Sequence, residues 1–167
     1  FRYCLDREWK SPHFEKMLSD NALLVSTYSR SLRKYQNSRD KKIILKTLEW
    51  IEQEMGSPDK GYASSLSAET NEMEGAHYLW TESELYEALG KAQGNQLEEL
   101  WGTFAKSPDS LFLPRLVDED LLSGERQQEI FNELSMDRKK LTSPKRDEKR
   151  SCFQHGLLVR AYLDAGT

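Results

Sequence analysis

Two apolar stripes on helices joined by only two residues set the tightest limit on what this chain can fold into. From Asn21 to Tyr35, the residues Leu24, Val25, Tyr28 and Leu32 recur at three- and four-residue spacing, the period of a helix with one buried face. A second stripe of Ile44, Leu48, Ile51 and Met55 follows at the same period. Ser38 is expected to cap that helix, and Gly56 followed by Pro58 to stop it. A connector as short as Gln36-Asn37 forces the two helices to run antiparallel, so the pair reads as an αα-hairpin.

Helical signals continue beyond it. Thr81 and Glu84 form a capping box ahead of a short helix from Glu82 to Leu89, closed by Gly90. Another helix is expected from about Gln96 to Lys106, with Leu97, Leu100, Trp101 and Phe104 on one face, and Pro108 and Pro114 bracket a loop. Ser123 caps a helix bearing Ile130, Phe131 and Leu134 that is expected to reach Leu141. The last helix, from about Asp147 to Ala165, carries Phe153, Leu157, Leu158, Ala161 and Tyr162. Between Gly61 and Trp80 both signals weaken, and Tyr78-Leu79-Trp80 is expected to pair with Tyr62 to Leu66 as a minor β-ribbon near residues 62 to 80.

A chain of 167 residues suits a single domain spanning 1–167. Its net charge of −4 weighs against nucleic acid, since a phosphate-binding surface shows as a basic excess. The richest basic run, Arg138 to Lys140 and then Lys145 to Arg150, is broken by Asp147 and Glu148 and reads as a solvated face. No apolar run approaches the roughly 20 residues of a membrane span, so no membrane association is expected. With no secretory leader in view, the cytoplasm is the expected compartment. The chain begins at Phe1 rather than methionine, so it is expected to be a processed product or part of something longer. Cys4 and Cys152 lie far apart and read most simply as free thiols, with one disulfide as the alternative. His13, His77 and His155 are equally scattered, so neither a metal nor another cofactor is expected.

The densest chemistry lies in Pro12-His13-Phe14-Glu15-Lys16-Met17-Leu18. Ser11 followed by Pro12 reads as an N-cap and first helical position, which would place His13 and Glu15 in the first turn. On a helix, residues two apart diverge at about 100° per step, so His13 would share a face with Lys16 or Met17 rather than with Glu15. Two readings fit: polar groups lining a site, or Phe14, Met17 and Leu18 packing inward with the charges facing water.

Those residues resemble a known family, the bacterial YyaL proteins and their mammalian spermatogenesis-associated relatives, which join a thioredoxin-like domain to an (α/α)6 toroid. Phe1-Arg2-Tyr3, Asp6, Trp9, Pro12 to Leu18 and Asp20-Asn21-Ala22 follow its first signature. Gly61-Tyr62-Ala63-Ser64 through Glu74-Gly75, with Tyr78, Trp80 and Thr81, resembles its second. Arg138, Lys140-Leu141, Pro144, Arg146-Asp147, Lys149 and Gly156-Leu157 resemble its third. The resemblance implies a fold like the sugar 2-epimerases and six-hairpin glycosidases, and hence a small carbohydrate as ligand. It also implies that the thioredoxin-like domain and the other half of the toroid are absent from this chain.

Departures from the pattern bear on activity. The family's Asp-Ala-Asp reads Ser67-Ala68-Glu69 here, and its Trp-Asn-Gly reads Gln154-His155-Gly156. Glycosidase chemistry generally uses two carboxylates at a fixed separation, so losing one lowers the expectation of turnover. The resemblance points to His13 and Glu69 as the catalytic candidates. It points to Glu15, Lys16, Tyr78, Trp80, Asp147, Lys149 and His155 as substrate-binding candidates. Each has a plain alternative: Glu69, Glu72 and Glu74 as a solvated loop, Tyr78 and Trp80 as core, and Asp147 as a helix-start residue favoured by the dipole. The expected molecule is an all-α protein, a partial (α/α)6 toroid of αα-hairpins. Its expected role is carbohydrate binding or sugar processing with weakened or lost catalysis. The contrasting expectation is a non-enzymatic interaction module whose uncovered helix faces dock a second copy or the missing half of the same polypeptide.

Overall fold

The computed structural model describes residues 2–8, 11–90, 111, 113 and 124–166, with the side chains of 124–128 left aside. The helix expected from Gln96 to Lys106, the loop between Pro108 and Pro114 apart from 111 and 113, and the Ser123 cap lie outside the described residues. The protein is mostly helical, with strands of two residues each. Its residues gather into two compact units.

The first unit comprises the segment up to Leu5, Pro12–Ala68 and the segment from Pro144 onward. Helix α1 (Leu18–Tyr35) turns through Gln36, at a φ of 51°, into α2 (Ser38–Trp50). The cap of α2 is Asn37, not Ser38; its side chain accepts from the Arg39 N–H. The α2 stripe is as expected, with Ile44, Ile51 and Met55 buried and Leu48 packed against them. In α1 the buried row is Leu18, Ala22, Val25, Ser26 and Ser29, whereas Leu24 is exposed. The cause is a second partner: α1 packs against α2 and also against the last helix, α5 (Cys152–Ala165), and small side chains permit that approach.

The stretch before α1 is extended rather than helical. Pro12 bridges to Cys4, the His13 N–H donates to Tyr3 O at 2.9 Å, and Lys16–Met17 form strand β1. Helix α1 starts only at Leu18, whose N–H goes to Ser64 O at 3.0 Å where a capping side chain would otherwise serve. Tertiary backbone pairing, with Phe14 and Leu18 buried, outweighs the local Ser-Pro start signal. Cys4 and Cys152 are free thiols.

Beyond α2 the helix widens into a π turn, Ile51–Met55, a form concentrated at sites of special function or packing. Strands β2 (Gly56–Ser57) and β3 (Gly61–Tyr62) make a hairpin from its end. Strand β4 (Ser65–Leu66) is central, paired antiparallel to β1 on one side and to β7 (Arg146–Asp147) on the other. This corrects two expectations. Tyr62 to Leu66 does not pair with Tyr78–Trp80, because the Ala63 N–H is taken by Met55 O and the Ser64 N–H by Asp147 O. Asp147 is a strand residue, five positions before the final helix begins at Cys152.

The second unit includes the described residues of Asp6–Ser11 and Glu69–Ser143. Strands β5 (Glu69–Thr70) and β6 (Met73–Glu74) form a tight hairpin whose turn residues, Asn71 and Glu72, both have positive φ, as a type I′ turn demands. Helix α3 (Glu82–Leu89) carries the expected capping box, with both the Thr81 and the Glu84 arm made, and Gly90 follows it. Helix α4 (Gly124–Arg138) ends short of Leu141 in turns at Lys139 and Lys140. Trp80, Leu85, Leu89, Ile130 and Leu134 form this unit's core.

Candidate functional site

The three-stranded ladder β1–β4–β7 gathers segments far apart in sequence. Glu15 just before β1, Ser65 and Ser67 around β4, and Lys145 to Glu148 around β7 line a cleft of about 430 Å³. Each carboxylate in it is held by neighbours. Glu15 receives the Arg2 guanidinium at 2.5 Å, and Arg2 also bonds Asp20 at 2.8 Å. Because this segment is extended, alternate residues share a side. His13 Nε2 therefore lies 3.8 Å from Glu15, contrary to the divergence expected of a helix. The His13 ring stacks on Tyr3, centroids 5.0 Å apart.

Asp147 accepts from the Lys149 N–H at 3.1 Å and from the Ser64 hydroxyl at 3.0 Å, and these bonds, the backbone one foremost, hold its carboxyl below the usual aspartate range. Glu148 sits 2.5 Å from Arg150 and 3.0 Å from Arg146, and is likewise pushed down, chiefly by the Arg150 hydrogen bond. Arg146 directs its Nη2 to Met55 O at 3.0 Å and to the Ser57 hydroxyl at 2.8 Å, tying the ladder to the end of the π turn.

Lys16 turns the other way from Glu15. Its Nζ lies 5.2 Å from the centre of the Trp50 ring. His155, on α5, uses both ring nitrogens internally: Nε2 accepts from the Tyr62 N–H at 3.1 Å while Nδ1 faces Ser151 O at 2.9 Å, which selects the neutral ring protonated at Nδ1. Gly61 makes that approach possible, since it has a φ of 75° and a Cβ there would stand 2.7 Å from His155 Nε2. Lys149 is exposed and contributes its backbone N–H to Asp147.

Glu69, Tyr78 and Trp80 belong to the second unit. Glu69 is exposed opposite Glu74 in the β5–β6 register. Tyr78 donates its backbone N–H to Gly75 O at 2.7 Å and meets His77 edge to face. Trp80 is only 8% exposed, with the Arg138 guanidinium 4.2 Å from its ring centre.

Sequence reasoning missed Ser65, Ser67, Lys145, Arg146 and Glu148 as cleft residues. The signal was their position within or beside the second and third signature segments, hidden by the expectation that Asp147 starts a helix. It also missed Glu52 on the π turn, whose Oε1 accepts both the Tyr62 hydroxyl at 2.7 Å and the Tyr162 hydroxyl. The Tyr162 bond, then the Tyr62 bond, lower the Glu52 pKa, while desolvation and then the bond to Glu52 raise that of Tyr162. Such groups keep their resting charge states at neutral pH, so this cluster braces the π turn against β3 and α5.

A mostly helical protein with a polar cleft on a short central ladder is the class these observations define. The chain matches no protein-family model. It is 31% identical over 94 residues, 53% of this chain, to spermatogenesis-associated protein 20 of Homo sapiens, and 30% identical over 105 residues, 59% of this chain, to the Rattus norvegicus protein of the same name. An uncharacterized protein of Caenorhabditis elegans is 31% identical over 97 residues. Over about half its length, then, the chain resembles the YyaL and spermatogenesis-associated family. The matched regions are 12% to 13% of the length of these relatives, so the chain spans only a small part of them. No helix among the described residues is long and apolar enough to cross a membrane.

Proposed function

We propose that this chain is a carbohydrate-binding part of a YyaL-like (α/α)6 toroid, with catalysis weakened or lost, and that the cleft on the β1–β4–β7 ladder receives the sugar. The observation that carries this reading is convergence: the residues lining the cleft come from all three segments through which the chain resembles the family. Seryl hydroxyls and ionised carboxylates are the groups that hydrogen-bond sugar hydroxyls. The lowered pKa values of Asp147 and Glu148 speak against either as a glycosidic general acid, which must keep its proton near neutral pH. His13, 3.8 Å from Glu15, is the residue of the first unit to which any residual acid–base work would fall.

A thermal-shift screen of neutral mono- and disaccharides tests it. At least one sugar should stabilise the chain, and Asp147→Asn or Glu15→Gln should weaken that binding about tenfold, the effect of losing one hydrogen bond to a charged group. No stabilisation by any sugar, or equal stabilisation of both variants, would contradict the reading.

A second reading, a docking module, draws on α5. Leu158 and Ala161 face the core, yet Phe153, Val159 and Leu163 on the same helix are 71%, 60% and 64% exposed. A helix apolar on both sides is characteristic of a buried one. Light scattering coupled to size-exclusion chromatography should then give a dimer that Leu163→Glu converts to monomer. A monomer at every concentration would sink the second-copy version of this reading.

A further inference from the structure

We propose that the seam between α1 and α5 docks an acidic amphipathic helix of a partner protein, its apolar side chains on Leu23 and Phe153 and its carboxylates on Arg30 and Arg160. The proposal rests on the docking reading of α5 and gives that reading its partner.

The two helices run side by side in the same direction. Ser64 O accepts from the Leu18 N–H at 3.0 Å and from Gln154 Nε2 at 3.5 Å, so both start at one point. Near their far ends, Arg33 Nη1 donates to Asp164 O at 2.9 Å. Seven residues make about two helical turns, so Leu23 shares a face of α1 with Arg30, and Phe153 shares a face of α5 with Arg160. Arg30 and Arg160 both turn to Asp164, at 4.0 Å and 3.1 Å, which sets those two faces along the seam. The starting half of the seam is therefore apolar, with Leu23 and Phe153 exposed, and the far half is basic.

The basic half is short of negative charge. Arg30 and Arg160 share one oxygen, Asp164 Oδ2, while Arg33 lies 3.8 Å from Oδ1. The Asp164 side chain is 12% exposed, against 62% for Arg30 and 60% for Arg160. A guanidinium has five N–H donors, so one shared oxygen leaves donors on both arginines open to solvent. The other carboxylate on the two helices, Asp20, is held by Arg2. Carboxylates from outside supply what the seam lacks, and arginine with an aromatic is a common anchor pair in protein interfaces. A second copy fits less well, because a self-complementary contact would bring up the same arginines. An anionic bilayer would face the chain's net charge of −4, whereas a single helix meets the seam alone.

The test is fluorescence anisotropy of a labelled synthetic helix, blocked at both ends, with leucines on one turn and glutamates two turns further along the same face. Its control carries glutamines for the glutamates. The glutamate peptide should bind the full chain about tenfold more tightly than the control. Arg30→Gln, Arg160→Gln and Phe153→Ser should each weaken it about tenfold, the loss of one anchoring contact. Arg30 stands at the 4.0 Å limit of its ion pair, so its variant probes the seam without taking a brace from the fold. Lys42→Gln removes the same charge from an exposed position on α2 and should change nothing. Equal binding of both peptides, or equal weakening by Lys42→Gln and Arg30→Gln, would overturn the proposal. So would binding to phosphatidylserine vesicles in place of the peptide. Failure of the peptide beside a dimer that Leu163→Glu dissociates overturns the acidic partner and keeps the docking reading; failure beside a monomer overturns both.

Discussion

Arg138→Met is expected to destabilise the second unit by about 3 kcal/mol, the sum of three lost hydrogen bonds and a cation–π contact. The guanidinium caps three successive carbonyls: Nη1 donates to His77 O and to Leu79 O, at 3.2 Å for the latter, and Nη2 to Tyr78 O at 3.1 Å. It also covers Trp80, the buried aromatic of that unit's core. Burial pushes its pKa down to about 10, and the group stays charged at neutral pH. Methionine preserves the stem and removes every donor. Lysine, a point charge with a different reach, should recover only part of the loss. Denaturant titration followed by tryptophan fluorescence checks it; a change within about 0.5 kcal/mol, typical of an ordinary surface site, would contradict the assignment.

Gly56→Ala is expected to cost the first unit about 2 to 3 kcal/mol, by forcing atoms into occupied space. The φ of Gly56 is −68°, available to any residue, so conformational freedom is not the issue. A Cβ there would stand 2.5 Å from Glu52 O and 3.4 Å from Glu52 C, both backbone atoms of the π turn. Relief means moving the turn itself. That turn carries Glu52, bonded to both tyrosines, and Met55, whose carbonyl accepts from Ala63 and Arg146. The damage should therefore reach the ladder that lines the cleft. Gly156→Ala is the control: among the described residues no atom beyond its own helix backbone lies within 4 Å of its Cβ position, and Gly156 is inside α5, where alanine should gain up to about 1 kcal/mol. Thermal unfolding of both variants decides it, and equal midpoints would contradict the argument.

Helix-scale features were legible because they are local. The capping box at Thr81 and Glu84, the stop at Gly56 and the stripe of Ile44, Ile51 and Met55 follow from spacing and side-chain chemistry alone. What was not legible depends on partners distant in the chain. Pro12 to Met17 reads as a helix start, and becomes extended because Tyr3, Leu66 and Ser65 pair with it. Leu24 fits the stripe of α1, but α5 packs on the other side and moves the buried row to Ala22, Ser26 and Ser29. Strands of two residues carry no periodicity, so the ribbon at Tyr62 to Leu66 was expected with the wrong partner, and neither β7 nor Asp147 within it could be placed. The candidate site suffered most from this. His13 and Glu15 were singled out, but their neighbours in the cleft come from strands with no sequence signal of their own.

Amide chemical-shift mapping of the full chain, during titration with the sugar that best stabilises it, tests the central claim most directly. Sugar binding at the ladder predicts shifts clustered at Glu15, Ser65, Ser67 and Lys145 to Glu148, lost in Asp147→Asn. Shifts confined to other residues, or none with any sugar, would contradict it.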